Sequence, residues 1–394
     1  MPWKVSSAMD ERMRFVARHR EATVTMTALC EEFGITRQCG YKWLGRYKAG
    51  GDAALATQSR APRCHPNATP ERVVDLVLET RRHHSTWGPR KILAFLRRQH
   101  PKLALPAAST VGTWLEQRGL TAKRHRRYHA SGPGTTPFAE HVEANAGWST
   151  DFKGHFRTLD GRYCYPLTMQ DVHSRFLLRC QALDAPREQL AKPVYEAAFR
   201  EYGLPLRMRS DNGTPFAAPS FTGLSPLSAW WISLGIAIER IVPGHPEQNG
   251  RLERMHRTLK EQTTSPPAAN ASAQQRRFRD FRREYNEDRP HEAIDDDVPA
   301  SRFSASPRPF PRARPVPQYA DGWDVRTVNA RGTMTFKRRH LQIGTPLAGE
   351  GVGFEPVDDG VWAIHYFGHR LGEFDLREGT LTCAGGTRNC ASGQ

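Results

Sequence analysis

The spacing of the apolar residues changes twice along this 394-residue chain, and these changes limit the folds that it can adopt. From residue 8 to residue 119, apolar residues recur every three to four positions, which is typical of helices. From Gly147, short strand-like runs are followed by alternating helical and strand patterns, and from Val325 only short strand-like runs remain. The sequence therefore predicts an all-α part, a mixed α/β part and a small all-β part, in that order.

Stretches rich in Gly, Pro, Ser and basic residues separate these parts and set the expected domain boundaries. The first lies after Gly50-Gly51, and another is the proline-rich stretch at residues 306–317. The predicted domains are a helix-turn-helix module at 1–50, a basic linker at 51–68, a second helical DNA-binding module at 69–128, a linker at 129–145, a catalytic core at 146–303, a Pro-rich linker at 304–320, a small β-barrel at 321–378 and a tail at 379–394.

The first helical part has the order helix, glycine-containing turn, helix that is typical of DNA-binding helix-turn-helix modules. Thr27 is expected to cap the second helix, Gly34 to make the turn, and residues 37–48 to form the third helix. Side chains of this third helix are predicted to contact DNA: Arg37, Gln38, Lys42 and Arg46. The alternative is a three-helix bundle whose basic residues are only its solvated face.

The positive charge of the chain is concentrated in this helical part. The chain has 57 Lys and Arg against 41 Asp and Glu, a net charge of +16. Residues 1–130 contain 24 basic and 10 acidic residues, and residues 131–394 contain 33 and 31. A nucleic-acid-binding arm concentrates charge in this way. Further DNA contacts are therefore predicted from the second helical module and the basic run after it: Arg90, Lys91, Lys123, Arg124, Arg126 and Arg127.

Several other classes of protein are disfavoured. The longest apolar stretch, residues 227–238, is broken by two serines and a glycine, whereas a membrane span needs about 20 apolar residues. The seven cysteines form no CxxC pair and the N-terminus has no apolar signal segment, which predicts a cytoplasmic protein without a membrane partner. The ATP-binding motif GxxxxGK[ST] is absent, and the pairs Cys64-His65 and His83-His84 lack the spacing of zinc ligands.

The α/β part contains acidic residues in a distinctive set of motifs. These are Asp151 in a strand-like stretch, the run Ser210-Asp211-Asn212-Gly213, the run His245-Pro246-Glu247-Gln248-Asn249-Gly250-Arg251-Leu252-Glu253-Arg254, and a closing segment with Tyr285-Asn286, Arg289-Pro290-His291, Pro299 and Arg302. Over about residues 145–303 this set resembles the catalytic core of the DDE integrases, and the helical modules resemble those of insertion-sequence transposases. The resemblance implies an α/β RNase H-like (integrase) core, preceded by all-α tandem helix-turn-helix modules and followed by a small all-β barrel.

The resemblance also implies a catalytic triad of Asp151, Asp211 and Glu253 that holds two Mg²⁺ (or Mn²⁺) ions. Two such ions about 3.5–4 Å apart stabilise the attacking and leaving oxygens of a phosphodiester, and hard cations prefer carboxylate oxygens. Lys260 follows Glu253 by two helical turns on the same face and is predicted to contact DNA. Residues expected to support the site are Asn212, His245 and Asn249.

The glutamate of the triad has two candidates. Glu247 lies 36 positions after Asp211, a spacing familiar in this superfamily, and Glu253 lies 42 positions after it. Glu253 is favoured because it follows the Asn249-Gly250 pair inside the predicted helix, as the family's glutamate does, whereas Glu247 is expected to cap or support. Asp171 resembles the acid that organises a turn between two strands in this core, and a structural role is expected for it.

The chain is thus expected to be a DDE-type insertion-sequence transposase of the bacterial cytoplasm, associated with the nucleoid. It would bind the terminal inverted repeats of its element, hydrolyse the phosphodiester at each end, and join the 3′-hydroxyl to target DNA as a dimer or larger assembly. The β-barrel would contact DNA or another protomer. Two alternatives stay open: a helix-turn-helix regulator with an inert core, and a metal-dependent RNase H-like nuclease.

Overall fold

The computed structural model describes residues 7–58, 68–121, 141–241 and 246–384, with the side chains of residues 246 and 247 left out. They belong to two compact units, Met1–Ala68 and Thr69–Gln394. The basic run at 123–127 and His245 lie outside the described residues. None of the helices in the described ranges is long and apolar enough to cross a membrane.

Three helices form the first unit: α1 (Ala8–Arg20), α2 (Met26–Glu32) and α3 (Arg37–Gly50). Their buried side chains are Phe15, Val16, Leu29, Cys30 and Leu44, with Leu55 from the 3₁₀ turn Asp52–Leu55. The expected cap at Thr27 is wrong: α2 begins two residues earlier, where the Thr25 hydroxyl accepts from the backbone N–H of Ala28. The helix-turn-helix order is confirmed.

The second unit begins with three further helices, α4 (Glu71–His83), α5 (Pro89–Gln99) and α6 (Ala108–Gln117). Their core is centred on Trp87, which is fully buried and stacks on His84 at 3.7 Å between ring centroids. This second helical module packs against the core that follows. His84 Nδ1 lies 2.9 Å from Glu284 Oε1, and Gln262 Nε2 donates to Thr86 Oγ1 at 3.0 Å.

The core is a mixed sheet whose strands are β1 (Trp148–Phe152), β2 (Phe156–Arg157), β3 (Tyr163–Asp171), β4 (Leu177–Leu183), β5 (Arg207–Ser210) and β6 (Ala237–Arg240). The order is β4-β3-β1-β5-β6, with the short β2 also paired to β3. β1 runs antiparallel to β3 and parallel to β5, and β5 runs parallel to β6. This topology confirms the predicted RNase H-like core.

Helices cover both faces of this sheet. Their ranges are α7 (Glu188–Tyr202), α8 (Pro226–Ser233), α9 (Gly250–Thr263), α10 (Ala271–Arg283), which continues as a π-helical turn at Glu284–Asp288, and α11 (Pro299–Arg302). One apolar cluster joins α7 and α8 to the sheet, and a separate one joins α9 and α10 to it. Trp230 and Trp231 belong to the first cluster.

The C-terminal part is all-β, as predicted. Its strands are β7 (Asp324–Thr327), β8 (Thr333–Phe336), β9 (Arg339–Gln342), β10 (Gly351–Asp358), β11 (Val361–Tyr366), β12 (His369–Asp375) and β13 (Thr380–Cys383). A five-stranded sheet, β13-β12-β11-β10-β7, and the hairpin β8-β9 share one apolar core. Leu224, Ala229 and Ile232 of the catalytic core belong to the same cluster, so the two domains are packed together.

The predicted Pro-rich linker is extended but packs along the catalytic core. The guanidinium of Arg308 donates to the carbonyls of Pro205, Leu234 and Gly235 at 2.6, 3.2 and 2.8 Å. At Gly203, where φ is +75°, a Cβ would lie 2.7 Å from the carbonyl oxygen of Ser306, so this close approach requires glycine.

Arg308→Ala is predicted to destabilise the second unit, because three carbonyls lose a charged donor. The expected loss is about 2–3 kcal/mol, which corresponds to a fall of several degrees in melting temperature. Thermal unfolding of the full chain measures it. Arg312→Ala, at an exposed position of the same segment, is the matched control and should melt like the wild type. Equal melting temperatures for the two variants would contradict the anchoring role.

Candidate active site

Two aspartates meet at the ends of neighbouring parallel strands. Trp148 of β1 pairs with Met208 of β5, and Ser149 pairs with Arg209. Continued by two residues, this register sets Asp151 opposite Asp211, which directly follows β5. Neighbouring strands lie about 4.8 Å apart, so the two carboxylates share one edge of the sheet.

The face of β1 that carries Asp151 is the face covered by α9. Side chains alternate along a strand, so Ser149 and Asp151 point to the same side of the sheet. The Ser149 hydroxyl donates to Asn249 Oδ1 at 2.7 Å, directly before α9 begins. Asn249, predicted to support the site, therefore ties the start of α9 to the central strand.

His256 lies two helical turns after Asn249 and holds α9 against the same strands. Its Nε2 lies 2.7 Å from Thr168 Oγ1, and Thr168 is the partner of Asp151 in the β1–β3 register. Its Nδ1 lies 3.8 Å from Asp151 Oδ2. Because residues three apart share a helix face, the exposed Glu253 projects from the same side of α9.

The charges of the three acids act on one another. The pKa of Asp151 is raised to about 7, chiefly by burial, then by the negative charge of Asp211, with a smaller contribution from Glu253. The structure thus sets Asp151 and Asp211 on neighbouring strands and places Glu253 near enough for its charge to act on Asp151, and their role as a triad stays a prediction. Within the described residues, no three His, Cys, Asp or Glu side chains are arranged as a complete metal site.

The donor set nevertheless fits a hard divalent cation. All three acids supply carboxylate oxygens, and the raised pKa of Asp151 shows negative charge gathered where burial leaves it poorly solvated. A bound cation would offset this repulsion. Glu253 is exposed, so its side chain has room to turn toward the aspartates.

The sequence interpretation missed His256. The pKa of His256 is lowered to about 3, chiefly by burial and then by the positive charge of Lys153. The ring is therefore neutral near pH 7. It lies in a stripe of buried residues on α9, with Leu252, Met255 and Leu259. A histidine three positions after the candidate glutamate was the available signal, but only the packing of α9 identifies its partner.

A turn fixes the second aspartate. Asp211 Oδ1 accepts from the backbone N–H of Gly213 at 3.0 Å, and Asn212 Nδ2 donates to the carbonyl of Ile241 at 2.7 Å. A Cβ on Gly213 would lie 3.2 Å from the Asp211 carboxylate, so glycine keeps this approach open. Asn212 thus has the predicted supporting position, because it joins the end of β5 to the chain after β6.

Asp171 has the structural role that the sequence indicated. It is fully buried at the end of β3. Its carboxylate accepts from the backbone N–H of Asn145 at 2.8 Å and from the backbone N–H and hydroxyl of Ser174 at 2.7 and 2.6 Å. These bonds hold the β3–β4 turn and the segment that leads into β1.

The predicted DNA-contacting residues have different environments. On α3, Arg37, Gln38 and Lys42 are exposed, and the half-buried Arg46 lies over the Trp43 ring at 4.9 Å. Arg90 is exposed and pairs with Glu292 at 3.3 Å, Lys91 donates to the carbonyl of Pro290, and Lys260 is exposed on α9. Lys123, Arg124, Arg126 and Arg127 lie outside the described residues. Contact with DNA stays a prediction for all of them.

A cavity of about 730 Å³ opens beside the aspartate turn, between the catalytic core and the C-terminal sheet. Asn212 and Gly213 line its inner end, and Arg240, His369 and Arg370 line its walls. Basic side chains on the walls of a cavity attract a polyanion, so this cavity beside the two aspartates suits a polyanionic substrate.

Models of known protein families match each part of the chain. Integrase core domain models match residues 141–246 and 234–299. A helix-turn-helix domain model matches residues 11–63, and a homeodomain-like domain model matches residues 39–115. A model of the IS481 family transposase C-terminal domain matches residues 323–382. These matches confirm the resemblance to insertion-sequence transposases with an integrase-like core.

Individual relatives match over shorter stretches. A Pol polyprotein of feline endogenous virus ECE1 is 29% identical over 39% of this chain. An uncharacterised 39.2 kDa protein of insertion element IS476 from Xanthomonas euvesicatoria is 33% identical over 28% of it. The chain spans only 14% and 30% of the lengths of these relatives.

Among solved structures, the simian T-cell lymphotropic virus intasome in complex with the PP2A regulatory subunit B56γ covers 75% of this chain and 97% of its own. Its TM-score is 0.37 and its identity is 15%. At these values the fold assignment depends on the strand order and the family models.

Asp151→Asn is predicted to stabilise the metal-free protein at pH 8 but not at pH 3. The folded-state pKa of about 7 lies above the ordinary aspartate pKa of 3.8, which the unfolded chain is expected to have. The folded state therefore keeps a proton that the unfolded chain releases, and this contribution is full below about pH 4 and lost as the pH rises through 7. Since one pKa unit is worth about 1.4 kcal/mol and the side chain is 23% exposed, the gain at pH 8 is about 2 kcal/mol.

Thermal unfolding of the full chain in EDTA measures this gain. Asp184→Asn, at an exposed carboxylate far from the site in sequence, is the control and should change stability equally little at both pH values. An Asp151→Asn protein that is no more stable than the wild type at pH 8 would contradict the buried, charge-coupled placement of Asp151.

Proposed function

We propose that this chain, with an integrase core domain between helix-turn-helix domains and an IS481 transposase C-terminal domain, is a DNA transposase. It would bind the ends of its element and catalyse metal-dependent 3′-end hydrolysis and strand transfer. The observation that supports this most directly is the parallel register that sets Asp151 beside Asp211 in an RNase H-like sheet, with the charges of Asp211 and Glu253 both acting on Asp151.

Asp151, Asp211 and Glu253 would hold Mg²⁺ or Mn²⁺, with two ions expected. When bound, divalent cations stabilise the charge on the attacking and leaving oxygens of a phosphodiester and make water or a 3′-hydroxyl a better nucleophile. Carboxylates are the ligands that these hard cations prefer.

Residues of this chain would position the acids. His256 and Asn249 fix α9, and with it Glu253, against the central strands. Asn212 fixes the turn that carries Asp211. Because the pKa of Asp151 is about 7, its carboxylate becomes available as the pH rises through 7, so metal binding in the neutral range would release a proton.

The helical modules would select the DNA. α3 exposes Arg37, Gln38 and Lys42 on one helix, as a recognition helix in the major groove requires. Two element ends must be joined in one reaction, so a dimer or larger assembly on DNA follows from the proposal. The expected setting is the bacterial cytoplasm, at the nucleoid, with terminal inverted repeats and target DNA as partners.

Glu253→Gln is predicted to abolish strand transfer, and Glu247→Gln to reduce it less. Loss of a supporting residue around a metal site costs about 10–100-fold, and loss of a metal-holding carboxylate should exceed that range. The assay uses the purified full chain, Mg²⁺ or Mn²⁺, and DNA that carries the element's end. Each variant is first shown to melt and to bind DNA like the wild type.

The outcomes separate the candidate functions. An active Glu253→Gln protein beside an inactive Glu247→Gln protein would overturn the choice of glutamate. Hydrolysed ends without joined product from the wild type would indicate the nuclease instead. Sequence-specific DNA binding without any metal-dependent cleavage would indicate the regulator with an inert core.

A further inference from the structure

Five basic side chains surround one cavity between the second helical module and the catalytic core. The cavity has a volume of about 410 Å³. Its cations come from four separate elements: Lys91 from α5, Arg175 from the β3–β4 turn, Arg251 and Arg254 from α9, and Arg289 from the segment after the π-helical turn. We call this cavity the cationic pocket.

Within the described residues, the cations of the cationic pocket make no close ion pair, although carboxylates further away, among them Glu284, Glu261 and Asp171, act on their charges. In the part of the chain that the structure describes, none of the five lies within 4.0 Å of a carboxylate oxygen. The lining includes one acid, Glu292, whose side chain is 80% exposed and pairs with Arg90 outside the lining. Three of the five cations are half-buried and two are exposed, and like charges gathered without a close carboxylate are unfavourable, so this arrangement points to a missing anion.

Several donors of the cationic pocket are also unused. Arg175 Nε and one terminal nitrogen of Arg289 are buried without a hydrogen-bond partner. Lys91 and Arg251 donate only to backbone carbonyls, those of Pro290 and Val172. Guanidinium groups offer forked donors that match phosphate oxygens, and this pocket places several around one space.

Burial and the neighbouring positive charges lower the pKa values of two cations of the cationic pocket. The pKa of Lys91 is lowered to about 8, chiefly by burial and then by the positive charge of the neighbouring Arg289. Burial lowers the pKa of Arg175 to about 10, with a further contribution from Arg251. An anion in the cationic pocket would relieve both effects.

The cationic pocket is separate from the acidic site. Successive residues of a helix are rotated by about 100°. Arg251, Arg254 and Thr258 therefore lie on one side of α9, with Glu253 and His256 on the other. A ligand in the cationic pocket is thus a different group from the phosphodiester at the carboxylates.

We infer that the cationic pocket binds one backbone phosphate of DNA, away from the reacting one, and that this phosphate ties the second helical module to the core. Lys91 on α5 and the arginines of the core would contact the same phosphate from two domains. The inference depends on the proposed function only in taking DNA as the source of the phosphate. A free phosphate ion shares this chemistry and is distinguished below.

Arg254→Gln tests the inference, because Arg254 is an exposed residue of α9 that lines the cationic pocket, and its guanidinium has no hydrogen-bond or ion-pair partner among the described residues. The variant should bind a short DNA duplex of arbitrary sequence about tenfold more weakly. The slope of log K against log salt should fall in magnitude by about 0.9. Without DNA, the variant should melt at or above the wild-type temperature, because a repulsive charge is removed.

A second pocket variant and a control variant complete the test. Lys91→Gln removes a cation from the helical side of the cationic pocket and should weaken DNA binding in the same way. Arg279→Gln removes an exposed charge from α10, outside the cationic pocket, and should bind DNA with the wild-type salt slope. A melting temperature of the DNA-free Arg254→Gln protein well below that of the wild type would overturn the inference, since it would make the arginine a structural residue.

Inorganic phosphate distinguishes the two sources. One outcome would identify a free-anion site and overturn the DNA assignment. In that outcome, both pocket variants bind DNA with wild-type affinity, and inorganic phosphate raises the melting temperature of the wild type only. Weaker DNA binding in both variants supports it. Joined ends from the wild type test the proposed function separately, and that result can fail or succeed whatever the variants show.

Discussion

The parallel pairing of β1 with β5 is the constraint on which the site depends. It sets Asp151 against Asp211, two like charges on adjacent strands. Burial and the charge of Asp211 together raise the pKa of Asp151 to about 7. Such an arrangement is unfavourable for an isolated fold and is found where a cation or a proton compensates it. The buried contacts of Asn249 and His256 hold α9 over this edge and so add Glu253 to the same place.

α9 therefore separates two opposite electrostatic environments. One side faces the aspartates, and the other carries Arg251 and Arg254 toward the cationic pocket. Under the two proposals above, metal ions would complete the first environment and a DNA phosphate the second. The second helical module contributes Lys91 to the cationic pocket. The packing of this module against the core therefore involves charged groups as well as apolar contacts.

Much of the fold could be read from residue patterns because it depends on local periodicity. The strand at Asp151, the turn at Asp211 and the helix at Glu253 follow from short sequence runs, and Asp171 was assigned correctly because its hydrogen bonds reach a serine three residues away. His256 was missed because its partner, Thr168, is 88 positions distant. Arg308 was assigned to a free linker for the same reason, since its acceptors are carbonyls more than 70 positions away.

The sequence by itself determined the three-part architecture, because periodicity is a property of neighbouring residues, and its resemblance to the DDE integrases singled out the acids that are proposed to hold a metal. Tertiary structure alone decided which acids share an edge, since register between distant strands sets that. It also decided that Arg175, Arg251, Arg254, Arg289 and Lys91 meet in one cavity. Their positions span some 200 residues, and no local pattern distinguishes a basic residue facing solvent from one that faces four other cations.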